Sequence, residues 1–430
     1  MDLAEATGWL AEHVNLEADP APRAAARRLD RVRRILEFMG DPQAAYPVIH
    51  LTGTNGKGST ARMATALLQA RGLSVGTYTS PHLERLNERI ARNGAPTSDD
   101  DFAAALSAVA ELEPFLDSRP TYFEILTAAA FRWFADTAVD VAVVEVGLGG
   151  RWDATNVADG QVAVVTNVAL DHTETIGPTL ADIAFEKAGI VKPGSSLVLG
   201  ETDESLAAIF RDADPHEVFE RDRDFGWLEN KLALGGRVLD LYTSRMRYPG
   251  VFLAAHGAYQ GDNAAVALAA VEAFFGGPLP HERVVEGMAA VRIPGRLEVV
   301  GRNPLCVLDG AHNPAGARAA AAAVDEAFGA VEGRVLVVGM NQGRDPHEML
   351  AALNAGAARL VVACPPPSPR ALPAAEVAAA AEALGTPAQA VGSVPEAVDF
   401  ALADAGEGEL VLVTGSLYVV GAARAWLAPQ

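Results

Sequence analysis

Short runs of β-branched and aliphatic residues alternate along most of the chain with stretches of helical periodicity. That alternation builds parallel sheets joined by crossover helices. The first part predicts strands near Val48–Leu51, Ser74–Tyr78, Val139–Val146 and Val162–Val168. It predicts helices after a glycine-rich turn at 53–58, over Asp99–Glu111 and over Glu124–Phe134. Residues 197–255 are more mixed. Gly235-Gly236 reads there as a hairpin turn between Leu232 and Val238–Tyr242, and an alanine-rich helix follows from Asn263. Pro294-Gly295 then breaks the chain, and a second alternation begins with strands Cys306–Leu308, Val335–Val338, Leu360–Ala363 and Leu410–Thr414. The fold class is α/β, with a larger mostly parallel first unit and a smaller doubly wound second one. Pro365-Pro366-Pro367 is a stiff loop inside the latter.

Composition narrows the class. Half of the 430 residues are apolar, which excludes a disordered chain. No apolar run approaches the ~20 residues that span a bilayer, so no membrane association is expected. Asp2, Glu5 and Glu12 occupy the N-terminus where a signal peptide would carry basic and then apolar residues. The two cysteines, Cys306 and Cys364, give neither a disulfide framework nor a zinc spacing, which fits a cytoplasmic protein. A formal net charge of −21 argues against a broad nucleic-acid surface but leaves room for a local anion site. The basic residues are almost all arginine. Lysine occurs only at 57, 187, 192 and 231, so each lysine invites the question of whether chemistry needs a compact ammonium or an amine there.

The strand at 48–51 runs into Thr52-Gly-Thr-Asn-Gly-Lys-Gly-Ser-Thr60, with Ser59 and Thr60 opening a helix. Strand, glycine turn and helix N-terminus make an anion cradle, with Lys57 over the outer phosphates. The loop departs from the usual phosphate-loop spacing: Leu51 stands where a glycine is expected, and Gly58 separates Lys57 from Ser59. A plain glycine turn is the alternative reading. Four further groups carry polar residues at strand ends, where open α/β sheets bind ligands. Ser80 and His82 follow the second strand, with a capped turn as the plainer reading. Glu145 closes the apolar run Val141–Val144 and suits a Mg²⁺ shared with phosphates, or else a pair with Arg151. Asp171-His172 follows the next strand and reads equally as a structural histidine. Lys187 sits beside Glu186 in a helical stretch, which alone reads as a surface ion pair. A fifth group, Gln260 with Asn263, Arg296 and Asp309–Pro314, places polar groups on both walls of a cleft between the units.

Taken in order from about residue 20 to the end, these blocks resemble the folylpolyglutamate synthase/dihydrofolate synthase family of the Mur ligase superfamily. The matching segments are Gly53–Ser59, Thr79–Leu83, Asn87–Ile90, Thr121–Glu124, Glu145–Asn156, Asp171-His172, Glu186–Lys192, Pro294–Glu298, Asp309–Pro314 and Gly415–Tyr418. The resemblance implies an ATP-binding P-loop domain over 1–295, like the central domain of Mur ligases. It implies a smaller Rossmann-like glutamate-ligase domain over 296–430. It places ATP on Thr54, Asn55, Gly56, Lys57, Gly58, Ser59, Asn263, Arg296 and Asp309. It places Mg²⁺, two ions in all, on Ser80, Glu145 and His172. It makes Lys57, Lys187 and His172 catalytic, with Lys187 carbamylated. It assigns the substrates to His82, Thr121, Tyr122, Phe123, Glu124, Trp152, Asp153, Ala154 and His312. The implied partners are ATP, L-glutamate and dihydropteroate or folates; K⁺ is the candidate monovalent ion, with no residue assigned, and a monomer is expected. The implied reaction is ATP-dependent addition of L-glutamate through an acyl phosphate, with both pteroate and folate substrates used. A Mur-type ligase acting on another carboxylate and a phosphate-loop switch protein are the rival readings. Two departures stand out: Ile176 where the family usually shows leucine, and Arg344 where it usually shows lysine before Asp345.

Overall fold

A computed structural model describes residues 1–17 and 28–428. The segment at 18–27, where the family resemblance begins, and residues 429–430 lie outside it.

The first sheet has eight strands: β1 (Val48–Thr52), β2 (Val75–Tyr78), β3 (Ile90–Arg92), β4 (Ala95–Pro96), β5 (Val141–Glu145), β6 (Val162–Val165), β7 (Ser196–Leu199) and β8 (Glu217–Glu220). Their order is β4-β3-β2-β5-β1-β6-β7-β8, parallel from β2 to β8 and antiparallel at β3 and β4. β1 is fully buried and central, because Val48, Ile49 and Leu51 pack on both faces of the sheet. On one face lie helices Lys57–Ala70, Tyr259–Phe275 and His281–Ala290; on the other lie Leu3–Ala11, Asp30–Phe38, Asp99–Ala110 and Tyr122–Asp136. β1 is flanked by β5 and β6, so the chain order reverses around it and the loop after it opens at a topological switch point.

A three-stranded antiparallel sheet follows: β9 (Phe225–Ala233), β10 (Gly236–Thr243) and β11 (Arg247–Leu253). The predicted turn at Gly235-Gly236 joins β9 to β10. The second large sheet comprises β12 (Glu298–Arg302), β13 (Leu305–Leu308), β14 (Gly333–Val338), β15 (Leu360–Ala363), β16 (Ala388–Ala390) and β17 (Glu409–Thr414), in the order β12-β13-β17-β14-β15-β16. All its neighbours are parallel except β12 with β13. The α/β class is therefore as the hydrophobic pattern predicts, with antiparallel edge strands β3, β4 and β12 that the pattern did not announce.

Three boundaries differ from expectation. The helix after the glycine loop starts at Lys57 rather than Ser59, so the lysine itself stands in the first turn. β6 stops at Val165, where Thr166 turns its hydroxyl to the Asn55 carbonyl instead of extending the strand. The alanine-rich helix begins at Tyr259, four residues ahead of Asn263. The polar start Tyr259–Asp262, with Gly261 inside it, hides that first turn from a propensity argument.

The small sheet is tied to the second large unit by a buried cation. Arg237 on β10 is 1 % exposed and donates to Glu326, in helix Pro314–Phe328, through Nη1 at 2.7 Å and Nη2 at 2.9 Å. Replacing Glu326 with alanine leaves that guanidinium its hydrogen bonds to Asn230 but removes its carboxylate partner. Urea unfolding should show a loss of about 1–3 kcal/mol; an unshifted midpoint would mean that water satisfies Arg237 equally well.

Candidate active site

The glycine loop lies at the carboxyl edge of β1, and its backbone is shaped by side chains from the β6 exit. Asn167 accepts from the Asn55 amide through Oδ1 at 3.0 Å and donates through Nδ2 to the Asn55 carbonyl at 3.0 Å. Thr166 Oγ1 donates to the same carbonyl at 2.6 Å. Thr54 Oγ1 donates to the Ala169 carbonyl at 3.1 Å. Two glycines are obligatory. Gly53 has φ +151°, and a Cβ there would meet Thr166 Oγ1 at 1.8 Å. Gly56 has φ +84°, and a Cβ there would meet Asn263 Oδ1 at 2.3 Å. Asn263 itself is oriented by donating to Gln260 Oε1 at 2.9 Å, so the helix bearing it seals one flank of the loop. Lys57 Nζ donates back to the Gly53 and Thr54 carbonyls at 3.0 and 3.3 Å, which holds the ammonium over the loop. Gly58 and Ser59 follow it in the first helical turn, with Ser59 buried.

Glu145 ends β5 with its carboxylate against this loop: a Cβ on Gly58 would lie 3.4 Å from Oε2. The same Oε2 accepts from the Ser80 amide at 3.3 Å. Burial pushes the Glu145 carboxyl up, against the opposing pull of Lys57, the Ser80 amide, Arg296 and Arg62. The plainer reading, an Arg151 pair, does not describe it; the Arg151 guanidinium lies over the Phe185 ring at 4.3 Å.

Asp171 and His172 lie where the β6 exit meets the second unit. Asp171 accepts from Arg344 at 2.7 Å and from Asn313 Nδ2 at 3.0 Å, and His172 Nε2 lies 3.8 Å from it. Burial works to raise the Asp171 carboxyl, but His172, Arg344 and His312 outweigh it and hold it well below the usual carboxylate range. His172 has φ +50°, and burial pulls its imidazole down to about 4 despite Asp171. Among the described residues no set of three or more His, Cys, Asp and Glu side chains is poised around one point as a closed metal site. Mg²⁺ does not need one, since it keeps waters and takes oxygens from a substrate's phosphates. A carboxylate laid against a phosphate loop, with Ser80 beside it, fits that ion.

Lys187 is not on the surface. It is 4 % exposed, while its neighbour Glu186 turns away to accept from the Trp152 amide at 3.2 Å. Burial, helped by Lys57, pulls the Lys187 ammonium down to about 7, against Asp171, Glu186 and Asp153. A large fraction of it is therefore the neutral, nucleophilic amine near neutral pH.

The opposite wall comes from the second sheet. Asp309 follows β13 and accepts from the Leu297 and Ala311 amides at 3.1 and 2.9 Å; burial raises its carboxyl and Arg296 opposes that. His312 Nδ1 lies 2.9 Å from the Gly310 carbonyl, which can only accept, so Nδ1 carries the proton and Nε2 the lone pair. Burial lowers this imidazole to about 4. Asn313 Nδ2 donates both to Asp171 and to Asn55 Oδ1, each at 3.0 Å.

The remaining predicted contacts gather around a second recess. Thr121 caps helix Tyr122–Asp136 in a capping box with Glu124, which also pairs with Arg31 at 3.1 Å. Tyr78 and Phe123 rings lie 5.9 Å apart. Asp153 accepts from the Leu148 amide at 2.9 Å and from Thr155, and burial raises it to about 6. Trp152 is exposed and Ala154 buried. His82 receives a hydrogen bond at Nδ1 from Arg89 Nε at 3.0 Å. Thr166, Asn167, Asn313, Arg344 and Arg89 escaped assignment from sequence alone. Each acts through a partner far along the chain, and only the Arg344 departure and the Asn87–Ile90 and Asp309–Pro314 blocks gave any signal.

The Mur ligase middle domain family matches residues 51–271, and the Mur ligase glutamate ligase domain matches 295–417. A dihydrofolate synthase/folylpolyglutamate synthase of Mycobacterium tuberculosis is 39 % identical over 438 residues, covering 92 % of this chain and 89 % of the relative. The crystal structure of Mycobacterium tuberculosis folylpolyglutamate synthase complexed with ADP and AMPPCP superimposes with a TM-score of 0.91 at 37 % identity, covering 100 % of this chain and 98 % of that one. A bifunctional folylpolyglutamate synthase/dihydrofolate synthase with Mn, AMPPNP and L-glutamate bound gives 0.84 at 31 % identity, covering 100 % and 98 %. The phosphate loop, the carboxylate beside it and the histidine and aspartate of the facing sheet thus sit in a chain that belongs to the dihydrofolate synthase/folylpolyglutamate synthase family of Mur ligases.

Proposed function

We propose that this chain is an ATP-dependent ligase that adds L-glutamate to dihydropteroate and to folyl(poly)glutamates, so acting in both dihydrofolate synthesis and polyglutamylation. The observation that carries it is that Asn313, beside His312 on the second sheet, bonds to Asn55 of the Lys57 loop, the loop against which Glu145 lies. The division is at 295/296, ahead of β12. A carboxylate oxygen of the acid attacks the γ-phosphorus of ATP, and ADP leaves. The glutamate amine then attacks the acyl phosphate, an amide forms and phosphate departs.

The protein's task is positioning and charge compensation rather than nucleophilic attack. Lys57 and the loop amides hold the β- and γ-phosphates. Asn263 flanks the loop, and Arg296 with Asp309 completes the nucleotide site. Ser80, Glu145 and His172 would hold Mg²⁺, with a second ion beside them, and the metal supplies charge neutralisation on the phosphoryl group. His312 offers the lone pair at Nε2 to the ammonium of glutamate. Thr121–Glu124, Trp152–Ala154 and His82 line the recess for the acid. Closure of the two units over the bound substrates excludes the water that would hydrolyse an acyl phosphate. K⁺ is the monovalent ion to test. The absence of a helix long and apolar enough to cross a membrane, among the described residues, is compatible with a cytoplasmic monomer.

Carbamylation of Lys187 is part of this reading: the amine adds to CO₂ and releases a proton, replacing a cation beside Lys57 with an anion. Its burial and its lowered ammonium supply the neutral amine this needs.

Three measurements follow. With Mg-ATP and L-glutamate, purified protein should make glutamylated product from dihydropteroate and from tetrahydrofolate by mass; product from one acceptor alone narrows the activity, and none from either sinks the proposal. Lys57→Ala should lose turnover by about 10³-fold or more with the circular dichroism spectrum intact; near-normal turnover would remove Lys57 from the phosphate site. Growth in ¹³C-bicarbonate should give one carbamate carbon resonance that disappears in Lys187→Arg, and a signal surviving that change would place the carbamate elsewhere.

A further inference from the structure

Arg89 is a buried guanidinium that the reaction scheme leaves unused, as deeply buried as the structural Arg237. It is 1 % exposed, on the segment joining β2 to β3, and all three of its nitrogens are engaged. Nη1 and Nη2 donate to Glu17 at 2.8 and 2.6 Å, so the buried charge is compensated by a bidentate carboxylate. Nε donates to His82 Nδ1 at 3.0 Å. The direction of that last bond is forced, because a guanidinium has no acceptor. His82 Nδ1 must carry the lone pair, and the ring proton must sit on Nε2. Nε2 makes no hydrogen bond among the described residues, and the ring is only partly buried. The Tyr122 ring lies 5.8 Å from the same guanidinium, and the Phe123 ring packs against Gly147. Arg89 therefore links His82, two residues beyond Ser80, to the aromatic segment 121–124, and leaves the His82 N–H on the nitrogen it does not occupy.

We infer that Arg89, held by Glu17, is a positioning residue that fixes His82 in the Nε2–H tautomer, so that His82 serves as a hydrogen-bond donor to an oxygen acceptor of the acid substrate. The inference rests on the functional reading above for the identity of that substrate. It does not rest on it for the tautomer. A lysine at position 89 could keep the charge but could not grip Glu17 with two nitrogens while a third holds His82. The arrangement costs a buried ion pair and returns a ring of defined orientation and polarity. An imidazole free to exchange its proton between two nitrogens would offer a lone pair to that acceptor part of the time, and two facing acceptors repel.

The test has two separable arms. Long-range ¹H–¹⁵N spectra of ¹⁵N-histidine-labelled protein, with His82 assigned by subtracting His82→Gln, should show a protonated Nε2 and a bare Nδ1. Arg89→Gln combined with Glu17→Gln, which leaves no buried charge unpaired, should turn that pattern into a tautomer mixture. In steady state the double variant should raise KM for the acid about tenfold while KM for ATP stays within about twofold. His82→Gln, which keeps an N–H donor, should retain more of the acid affinity than His82→Met. A wild-type ring bare at Nε2 overturns the proposal, as does unchanged KM for the acid in a folded double variant. A rise in KM for ATP instead would assign the donor to the nucleotide and overturn the substrate assignment. Wild-type protein without ligase turnover overturns the functional reading and with it that assignment, while the spectra still decide what Arg89 does to His82.

Discussion

Asn313 spends both amide hydrogens on joining two sheets. Both Nδ2 hydrogens are used, one on Asn55 of the phosphate loop and one on Asp171 after β6, each at 3.0 Å. Its Oδ1 accepts from the Gly316 amide at 2.8 Å and so caps the helix that follows β13. A side chain saturated in this way cannot flip or drift without leaving a buried group unpaired. Arg344 adds a second strut to the same carboxylate at 2.7 Å. Each half of the site alone is a strand end with loops. Only the contact between the two brings the glycine loop to the segment that carries His312 and Asn313.

That arrangement creates an electrostatic problem it does not itself solve. Lys57, Arg344 and Lys187 stand close enough for their charges to matter to the same groups, and Lys187 is almost fully buried. Asp171 answers one of them directly, and its carboxyl stays ionised for that reason. Lys187 has no such partner at hydrogen-bond distance, so burial converts it toward the neutral amine. A chain with a net charge of −21 thus gathers Lys57, Arg344 and Lys187 around one site against the sign of the whole.

What the sequence disclosed and what it hid divide along chain distance. β1, β5 and the glycine loop were legible because an apolar run, a terminal carboxylate and a Gly-Lys turn are local signals. The parallel order was legible from alternation. The Asn167 brace on Asn55 spans 112 positions, the Asn313 link 258 and the Arg89–Glu17 pair 72, and no period or motif connects such positions. Lys187 was misleading for a physical reason. Adjacent residues on a helix point about 100° apart, so a neighbouring glutamate is not a partner. Glu186 faces Trp152 and the Gly149 turn, while Lys187 faces inward. The family resemblance reversed the surface reading where spacing could not.

Arg344 shows how such a site tolerates a departure. At that position the family usually shows a lysine, whose ammonium can lose its proton when desolvated, as Lys187 does here. An arginine keeps its charge under any desolvation it meets in a protein. Its planar fork reaches Asp171 across the gap, while the buried Lys187, which also feels Asp171, is drawn toward the neutral amine. Fixing the charge on the bridging side leaves Lys187 as the member of the group whose state can change. The bridge between the sheets is then insulated from that change.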